Sequence, residues 1–378
     1  MHIKQISKYS IERVILIPII LLGIISIISI YSTKSVLGID AEFLWLKQLI
    51  WYIIGFTIAL TMMKIGNKFF YNNAWWLYFL GIILLILVLF FGIEINNARC
   101  WFKIPYIGTL QPSEFMKVFL IIILARLINE FNESYITPTV TDEFKFLIKI
   151  LIIVIIPSIL TFIENDTGAV MMYFIITFTM LLIGGLKKRW FFSIIVIFGI
   201  FIILFISIYL LNKDLFINIF GTNFFYRIDR IINWSNSSGL QLSNSLTAIG
   251  SAGLFGHGFN NVPLYFPEMQ TDFIFSVYTS CFGLVGAIIL ISIIIYFDIN
   301  IINTVNKTTN MTDKYMIGGV LAILIFQQVY NISMTIGLLP IMGITLPFIS
   351  YGGSSLISYM LLLGFIFNVS NEKLRFTN

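Results

Sequence analysis

The residue whose type and position most clearly suggest a chemical role is Asp272. It stands in the segment PEMQTDFIF, where a long polar stretch meets an apolar run. A carboxylate at such a boundary can act as a general base if a substrate hydroxyl lies beside it. It can equally cap the helix that follows, because an Asp side chain there accepts a backbone N–H bond. Position alone leaves both interpretations open.

Two more carboxylates, Glu164 and Asp166, lie close together in the segment ENDTG between two apolar runs. Such pairs occur in acid–base sites and in metal sites. Asp166 also suits the N-cap of the following helix. No cluster of ligands in the sequence demands a metal, so a divalent cation such as Mg²⁺ or Mn²⁺ is compatible with the sequence but not required by it.

Charged residues also stand at the end of the segment 96–117, NNARCWFKIPYIGTLQPSEFMK. Pro112 and Glu114 suit the first turn of a helix, so helix capping explains part of this pattern. Lys117 is different, because it stands one turn after Glu114 and enters an apolar run, where an unpaired charge is costly. The spacing predicts either an ion pair inside the membrane or a contact with an anionic substrate.

The segment 337–355 combines two prolines, a Gly pair and several hydroxyl residues just before an apolar run. Small residues of this kind allow neighbouring helices to approach closely. They can also leave backbone N–H groups free at a helix N-terminus, which is a natural site for a phosphate. Both interpretations stay open at this point.

The composition places the chain in a membrane. Hydrophobic residues make up 58% of it and charged residues 11%, and its mean hydropathy is +0.96. A soluble protein carries roughly a quarter charged residues and just under half apolar ones. The net charge of +5 comes from basic residues dispersed along the chain. Their dispersal argues against nucleic-acid binding and indicates a topology signal instead.

Apolar runs of about 20 residues, the length that crosses a bilayer, occur ten times. The predicted spans are 14–31, 44–63, 74–92, 112–128, 146–163, 168–186, 190–211, 273–297, 315–337 and 352–369. Lys and Arg are more frequent in alternate connections, which places both chain termini in the cytoplasm. The sequence therefore predicts an all-α membrane protein, a polytopic bundle of about ten transmembrane helices.

One connection is much longer than the others and covers residues 212–272, on the extracytoplasmic side between the seventh and eighth predicted spans. Loops of this length are typically functional or disordered. Its part LSNSLTAIGSAGLFGHG, residues 242–258, alternates small and apolar residues, which favours a packed re-entrant or interfacial segment. Irregular backbone at membrane depth needs protein or a water-filled cavity beside it, so we expect a polar cavity at the outer surface.

Several motifs resemble those of the SEDS family of bacterial cell-wall polymerases, whose members include RodA, FtsW and SpoVE. The similar segments are ARCWF (98–102), QPSEFMK (111–117), ENDTG (164–168), AIGSAGLFGHG (248–258) and LPFISYGGSS (346–355). The resemblance extends over nearly the whole chain. In the family the Asp of the PExxTDFIF motif is the essential carboxylate, and the position that matches it here is Asp272.

The resemblance implies one integral membrane domain over residues 1–378, located in the bacterial cytoplasmic membrane. It implies a peptidoglycan glycosyltransferase that polymerises lipid II, the undecaprenyl-linked precursor, at the outer face during division, elongation or sporulation. A class B penicillin-binding protein would be its partner, and membrane lipids would surround it. Asp272 would be the catalytic base, with cationic groups offsetting charge on the departing pyrophosphate. The candidate substrate-binding residues are Arg99, Lys103, Glu114, Lys117, Asp166, Arg227, Gln241, Ser245, Ser350 and Ser354.

The sequence departs from the family pattern near the predicted site. Gln270 replaces a usual His, Ser280-Cys281 replaces a Glu pair, and Glu164-Asn165 replaces Gln-Pro. Two other functions fit the same architecture: a lipid II flippase or transporter, and a non-catalytic scaffold that recruits the transpeptidase. The presence of Asp272 and of LPFISYGGSS favours the active enzyme.

Overall fold

The computed structural model describes residues 11–95, 98–105, 108–222, 225, 229, 239–306 and 308–376. Arg227, a predicted substrate-binding residue, lies outside them. The helices within these ranges are α1 (Arg13–Ser32), α2 (Lys34–Leu37), α3 (Leu44–Ile65), α4 (Asn67–Asn72), α5 (Ala74–Phe91), α6 (Pro112–Ser134), α7 (Val140–Ile163), α8 (Thr167–Ile183), α9 (Lys188–Leu211), α10 (Lys213–Phe220), α11 (Gly239–Ser251), α12 (Ile274–Asn306), α13 (Met311–Thr335) and α14 (Gly353–Phe376). The strands are β1 (Ile93–Ile95), β2 (Ala98–Ile104) and β3 (Gly108–Leu110).

The protein is a polytopic membrane protein, and the predicted helical class is confirmed. Eight helices in the described part of the chain are long and apolar enough to cross a membrane: α1 with α2, then α3, α5, α7, α9, α12, α13 and α14. The other two predicted spans correspond to α8, which has 17 residues, and to α6, which has 23 residues but includes five charged ones. The number of ten spans therefore stays a prediction.

Helix α6 lies at the centre of the bundle and packs against α5, α7, α8, α13 and α14. Its side chains Leu120, Ile121, Ile123, Leu124 and Ala125 are fully buried. A helix that is covered on all sides faces protein rather than lipid. It can therefore carry charged groups, provided that other protein groups partner them.

A small antiparallel sheet between α5 and α6, in the order β1-β2-β3, was not predicted. Phe102 of β2 lies opposite Leu110 of β3, and the helical pattern resumes only at Pro112. The hydroxyl of Ser354, in the first turn of α14, donates to the carbonyl of Thr109 at 3.1 Å. We call this end of the bundle the sheet end; it also carries residues 337–352 and α11.

The segment that follows α11 fills a break in α12. Gly283 interrupts the helix with φ +65° and ψ −162°. Four backbone hydrogen bonds of 2.9–3.1 Å join the two segments: His257 N to Ser280 O, Gly258 N to Cys281 O, Leu284 N to Gly253 O and Val285 N to Leu254 O. The groups released by the break are thus satisfied within the protein, as backbone in an apolar surrounding requires. Residues 253–258 of the segment 242–258 thus contact α12, and a re-entrant or interfacial placement of the whole segment stays a prediction.

This junction generates a prediction for Gly283→Ala. A methyl group there would lie 2.4 Å from the nitrogen of Gly256 and 2.4 Å from the carbonyl oxygen of Leu254, at a positive φ. We expect a loss of at least about 2 kcal/mol in the free energy of unfolding. Thermal unfolding of the purified protein in detergent measures it.

The matched control is Gly199→Ala in α9, where an added methyl group meets nothing within 4 Å. This change should be neutral or slightly stabilising, since Ala has the higher helix propensity. Equal effects of the two substitutions would contradict a specific role of the junction.

Candidate active site

Asp272 lies in a tight turn that leads into α12. The N–H groups of Thr271 and Phe273 donate to the carbonyl of Glu268 at 3.2 and 3.1 Å, and Glu268 itself has φ +56°. The amide of Asn331 on α13 donates to the carbonyl of Asp272 at 2.8 Å and to that of Ile344 at 2.7 Å. The backbone of Asp272 is therefore held between two neighbouring segments.

The carboxylate of Asp272 is not a helix cap. The N–H groups of Ser276 and Val277, near the start of α12, donate to the carbonyl of Phe273 instead. Among the described residues, no donor forms a hydrogen bond with the Asp272 side chain. Of the two interpretations of this residue from the sequence, the geometry excludes the helix cap and is compatible with a general base.

The surroundings of Asp272 favour its protonated form. The residue keeps some exposure, but protein encloses most of its carboxyl group, and a methyl group at Gly343 would lie 3.7 Å from Oδ2. Burial, together with the nearby charge of Glu268, raises the pKa of Asp272 from 3.8 to about 7. A carboxylate with a pKa close to the working pH is well suited to proton transfer.

The motif at 346–355 forms the wall next to Asp272. The hydroxyl of Ser350 donates to the carbonyl of Thr271 at 2.6 Å and accepts from the N–H of Leu346 at 2.8 Å. The N–H of Tyr351 donates to the carbonyl of Gln270 at 2.9 Å. These bonds fix the loop to the turn that carries Asp272, and they occupy the predicted substrate-binding residue Ser350.

The same loop is fixed on its other side by α1 and α3. Ser26 donates to the carbonyl of Ile349 at 2.7 Å, and Gln48 donates to that of Ser350 at 3.1 Å. Tyr52 donates to the carbonyl of Phe348, which has a positive φ of 63°. A non-glycine residue in this conformation persists only where the surrounding structure determines it.

Asp166 caps α8, as one interpretation of the sequence proposed, by accepting from the N–H of Ala169 at 3.0 Å. Its other oxygen accepts from the amide of Gln111 and the hydroxyl of Ser113, both at 2.8 Å. The N–H of Gln111 donates in turn to Ser354 at 3.0 Å. We call the three bonds to Asp166 the Asp166 junction; it connects the first turns of α6 and α8.

Lys117 and Glu114 form the buried ion pair that was one of the two predictions for this spacing. Their charged atoms are 2.7 Å apart, and the side chains are 1% and 9% exposed. Ser358 of α14 donates to the same Glu114 oxygen at 3.1 Å, and the ammonium lies 5.9 Å from the ring centre of Tyr359. The pair connects α6 to α14.

The other predicted substrate-binding residues differ in their accessibility. Ser245 is fully buried and bonded to Ser276 and to the carbonyl of Thr335, and Gln241 donates to the carbonyl of Pro267. Arg99, 3.8 Å from Glu94, and Lys103 are exposed on the sheet. Substrate contact by any of these residues stays a prediction, and Arg227 lies outside the described residues.

Sequence reasoning missed Gln48, Tyr52, Asn331 and Gly343. A signal existed for two of them, since Gln48 and Asn331 are uncharged polar residues inside predicted spans, where such groups require a partner. Gly343 and Tyr52 carried no signal of this kind. In the described part of the chain, no group of three or more His, Cys, Asp or Glu side chains could hold a metal ion.

Comparison with known proteins identifies the family. A family model described as cell cycle protein, FTSW_RODA_SPOVE, matches residues 10–375. The chain belongs to this family. The resemblance of the motifs to the SEDS proteins is thereby confirmed.

Relatives and solved structures extend over almost the same length. A Coxiella burnetii protein named probable peptidoglycan glycosyltransferase FtsW is 30% identical over 98% of this chain and 99% of its own length. The Bacillus subtilis protein of the same name is 29% identical over 97% and 92%. The fold matches Thermus thermophilus RodA, with a TM-score of 0.69 and 21% identity, covering 96% of this chain and 98% of RodA. It also matches a chain of a peptidoglycan synthase complex, with a TM-score of 0.77 and 19% identity over 96% and 98%.

The ion pair generates a prediction for Lys117→Met. The change leaves Glu114 as a buried carboxylate without its cation, so we expect a loss of about 3–5 kcal/mol in the free energy of unfolding. Neutralising both partners, as Glu114→Gln with Lys117→Met, should restore most of this loss. Thermal unfolding of four proteins, the wild type, Glu114→Gln, Lys117→Met and the double variant, measures the coupling between the two sites. Additive effects in the double variant would show that the pair does not act as a unit.

Proposed function

We propose that this protein is a peptidoglycan glycosyltransferase, which polymerises lipid II into glycan strands. Its membership in the FtsW/RodA/SpoVE family supports this activity, and so do the names of its relatives. The observation that carries the proposal is Asp272, a partly exposed carboxylate that caps no helix and whose pKa is raised to about 7.

Asp272 acts in the proposed reaction as the general base. It takes the proton from the acceptor sugar hydroxyl as that oxygen forms the new glycosidic bond. The bond between the donor sugar and its pyrophosphate breaks, and the electron pair leaves with the pyrophosphate. Exposed cations at the sheet end, Arg99 and Lys103, can offset the negative charge that develops there. Lys117 is paired with Glu114 and has a structural role, because this pair connects α6 to α14.

The membrane setting suits an amphiphilic substrate. Its polyprenyl tail can stay in the lipid beside the bundle while its sugars reach Asp272 at the sheet end. We place the sheet end outside the bacterial cytoplasmic membrane and both termini in the cytoplasm. The basic residues Lys187, Lys188 and Arg189, at the opposite end of the bundle, support this orientation. A single integral membrane domain over residues 1–378 is part of the proposal.

The proposed partner is a class B penicillin-binding protein that crosslinks the strands. A chain of a peptidoglycan synthase complex shares this fold, which supports such an assembly. Most of the outward surface of the bundle is apolar, and either lipid or a transmembrane helix can cover such a surface. Lipid II is the proposed substrate. A divalent cation could assist the reaction but is not required by the proposal.

The central test replaces the proposed base. Asp272→Asn should lower the rate of polymerisation of labelled lipid II by the purified protein about 10²–10⁴-fold, because the amide cannot accept the proton. The unfolding temperature at neutral pH should be equal to or higher than that of the wild type, because the amide removes a carboxylate whose burial raises its pKa. Asp214→Asn, which changes an exposed Asp of α10, is the matched control and should keep full activity. Undiminished polymerisation by Asp272→Asn would exclude the mechanism, whereas no polymerisation by the purified wild type is the result that a scaffold or a flippase predicts.

A second test uses the charge of Glu268. The reaction needs ionised Asp272, so the rate should rise with pH through about 7 in the wild type. Because the negative charge of Glu268 contributes to the raised pKa of Asp272, Glu268→Gln should lower this pKa and move the rise to lower pH. The rate of polymerisation between pH 5 and 8, each protein relative to its own plateau, measures the shift. An unchanged midpoint would mean that a different group controls the acid limb.

A further inference from the structure

Glu164 is a buried carboxyl group that the proposed reaction does not use. It follows α7 directly, in the turn between α7 and α8. Its side chain is fully buried, and neither carboxyl oxygen has a hydrogen-bond partner among the residues that the structure describes. Asp166, two residues away, accepts three hydrogen bonds. A buried polar group without partners is rare in folded proteins and requires an explanation.

Within the described ranges of the chain, the surroundings of Glu164 offer it no counter-charge. Asp166 faces it from the same turn, and the uncharged side chains of Cys100 on β2 and Tyr173 on α8 are close enough to interact with it. The cation of the neighbouring helix α6, Lys117, is bound to Glu114. Arg99 gives Glu164 only its backbone N–H, since its guanidinium lies by the exposed Glu94.

An ionised carboxylate in this place is unfavourable, so the neutral acid is the stable form. Burial, followed by the charge of Asp166, raises the pKa of Glu164 from 4.5 to about 9. The group consequently carries a proton at neutral pH and loses it in alkaline solution. The new charge then has no partner and stands close to Asp166.

The turn that carries Glu164 joins several parts of the sheet end. The carbonyl of Glu164 accepts from the N–H of Arg99 at 3.1 Å and so holds β2. The Asp166 junction holds the first turns of α6 and α8, and Gln111 continues the connection to Ser354 on α14. Repulsion between two carboxylates in this turn acts directly on these bonds.

We propose that Glu164 is a positioning residue whose neutral acid form leaves the Asp166 junction intact. Its ionisation in alkaline solution places a second negative charge beside Asp166, which loosens the sheet end and lowers activity. The effect on activity rests on the proposed function. The effect on the fold does not, and the two are measured separately.

The first measurement is the unfolding temperature of the purified full chain without substrate, between pH 5 and 10. The pKa of Glu164 is higher in the folded state than in the unfolded state, so wild-type stability should fall as pH rises from about 4.5 to about 9. Glu164→Gln cannot ionise and should not show this contribution. We expect equal unfolding temperatures at pH 5, and a variant that is several degrees more stable at pH 9.

The matched control is Glu42→Gln, which changes an exposed carboxylate 3.4 Å from Lys34. It should follow the wild-type curve at every pH. Parallel curves for Glu164→Gln and the wild type would overturn the proposal. Stabilisation of the wild type, but not of Glu164→Gln, by Mg²⁺ or Mn²⁺ at pH 7 would also overturn it, because a cation rather than a proton would then occupy the site.

The second measurement is the rate of lipid II polymerisation over the same range. The wild-type rate should fall about tenfold per pH unit above pH 9, if ionisation of this single group controls it. Glu164→Gln should lack this alkaline limb and keep the acid limb. Identical alkaline limbs would overturn the positioning role. If neither protein polymerised lipid II at any pH, the proposed function would fail, while the unfolding curves would still decide the state of Glu164.

Discussion

Polar groups inside this bundle must find their partners within the protein, because lipid offers them none. This constraint explains most of the contacts at the sheet end. The break in α12 at Gly283 is tolerated because residues 253–258 supply the missing backbone partners. The irregular loop before α14 is tolerated for the same reason, since Ser26, Gln48 and Tyr52 donate to its carbonyls.

The same constraint separates the roles of four carboxyl groups. Glu114 has a cation, and Asp166 has three donors, so both are structural groups with partners inside the fold. Asp272 and Glu164 have no such partners, and the pKa of each is raised. Asp272 is partly exposed and therefore accessible to a substrate, whereas Glu164 is fully buried. The same functional group is thus proposed to act as a base at Asp272 and as a neutral acid at Glu164.

Polar residues in the motifs of this protein can stabilise the fold or bind substrate, and the sequence does not distinguish the two roles. Ser350, Ser354 and Ser245 were expected to contact substrate, and the structure uses their hydroxyls to join separate segments. A hydroxyl that already donates and accepts inside the fold has little capacity left for a ligand. The exposed cations Arg99 and Lys103 have that capacity, because salt bridges at a surface are weak.

The membrane class, the approximate positions of the helices and the motifs that identify the family could all be predicted from the amino-acid sequence. These properties depend on local composition and on the length of apolar runs, which any single segment displays. The sequence also predicted the pair of Lys117 with Glu114, because residues one helical turn apart are neighbours in any helix.

Which carboxylate caps a helix and which does not became clear from the folded arrangement alone. Asp166 and Asp272 look alike in sequence, each standing just before an apolar run, yet one accepts from its helix and the other does not. The sequence also did not predict the sheet, the hydrogen-bond partners of Asn331 or the lack of partners for Glu164 among the described residues. They depend on contacts between residues far apart in the chain, and the pKa of a buried group follows from the neighbours that the fold brings to it.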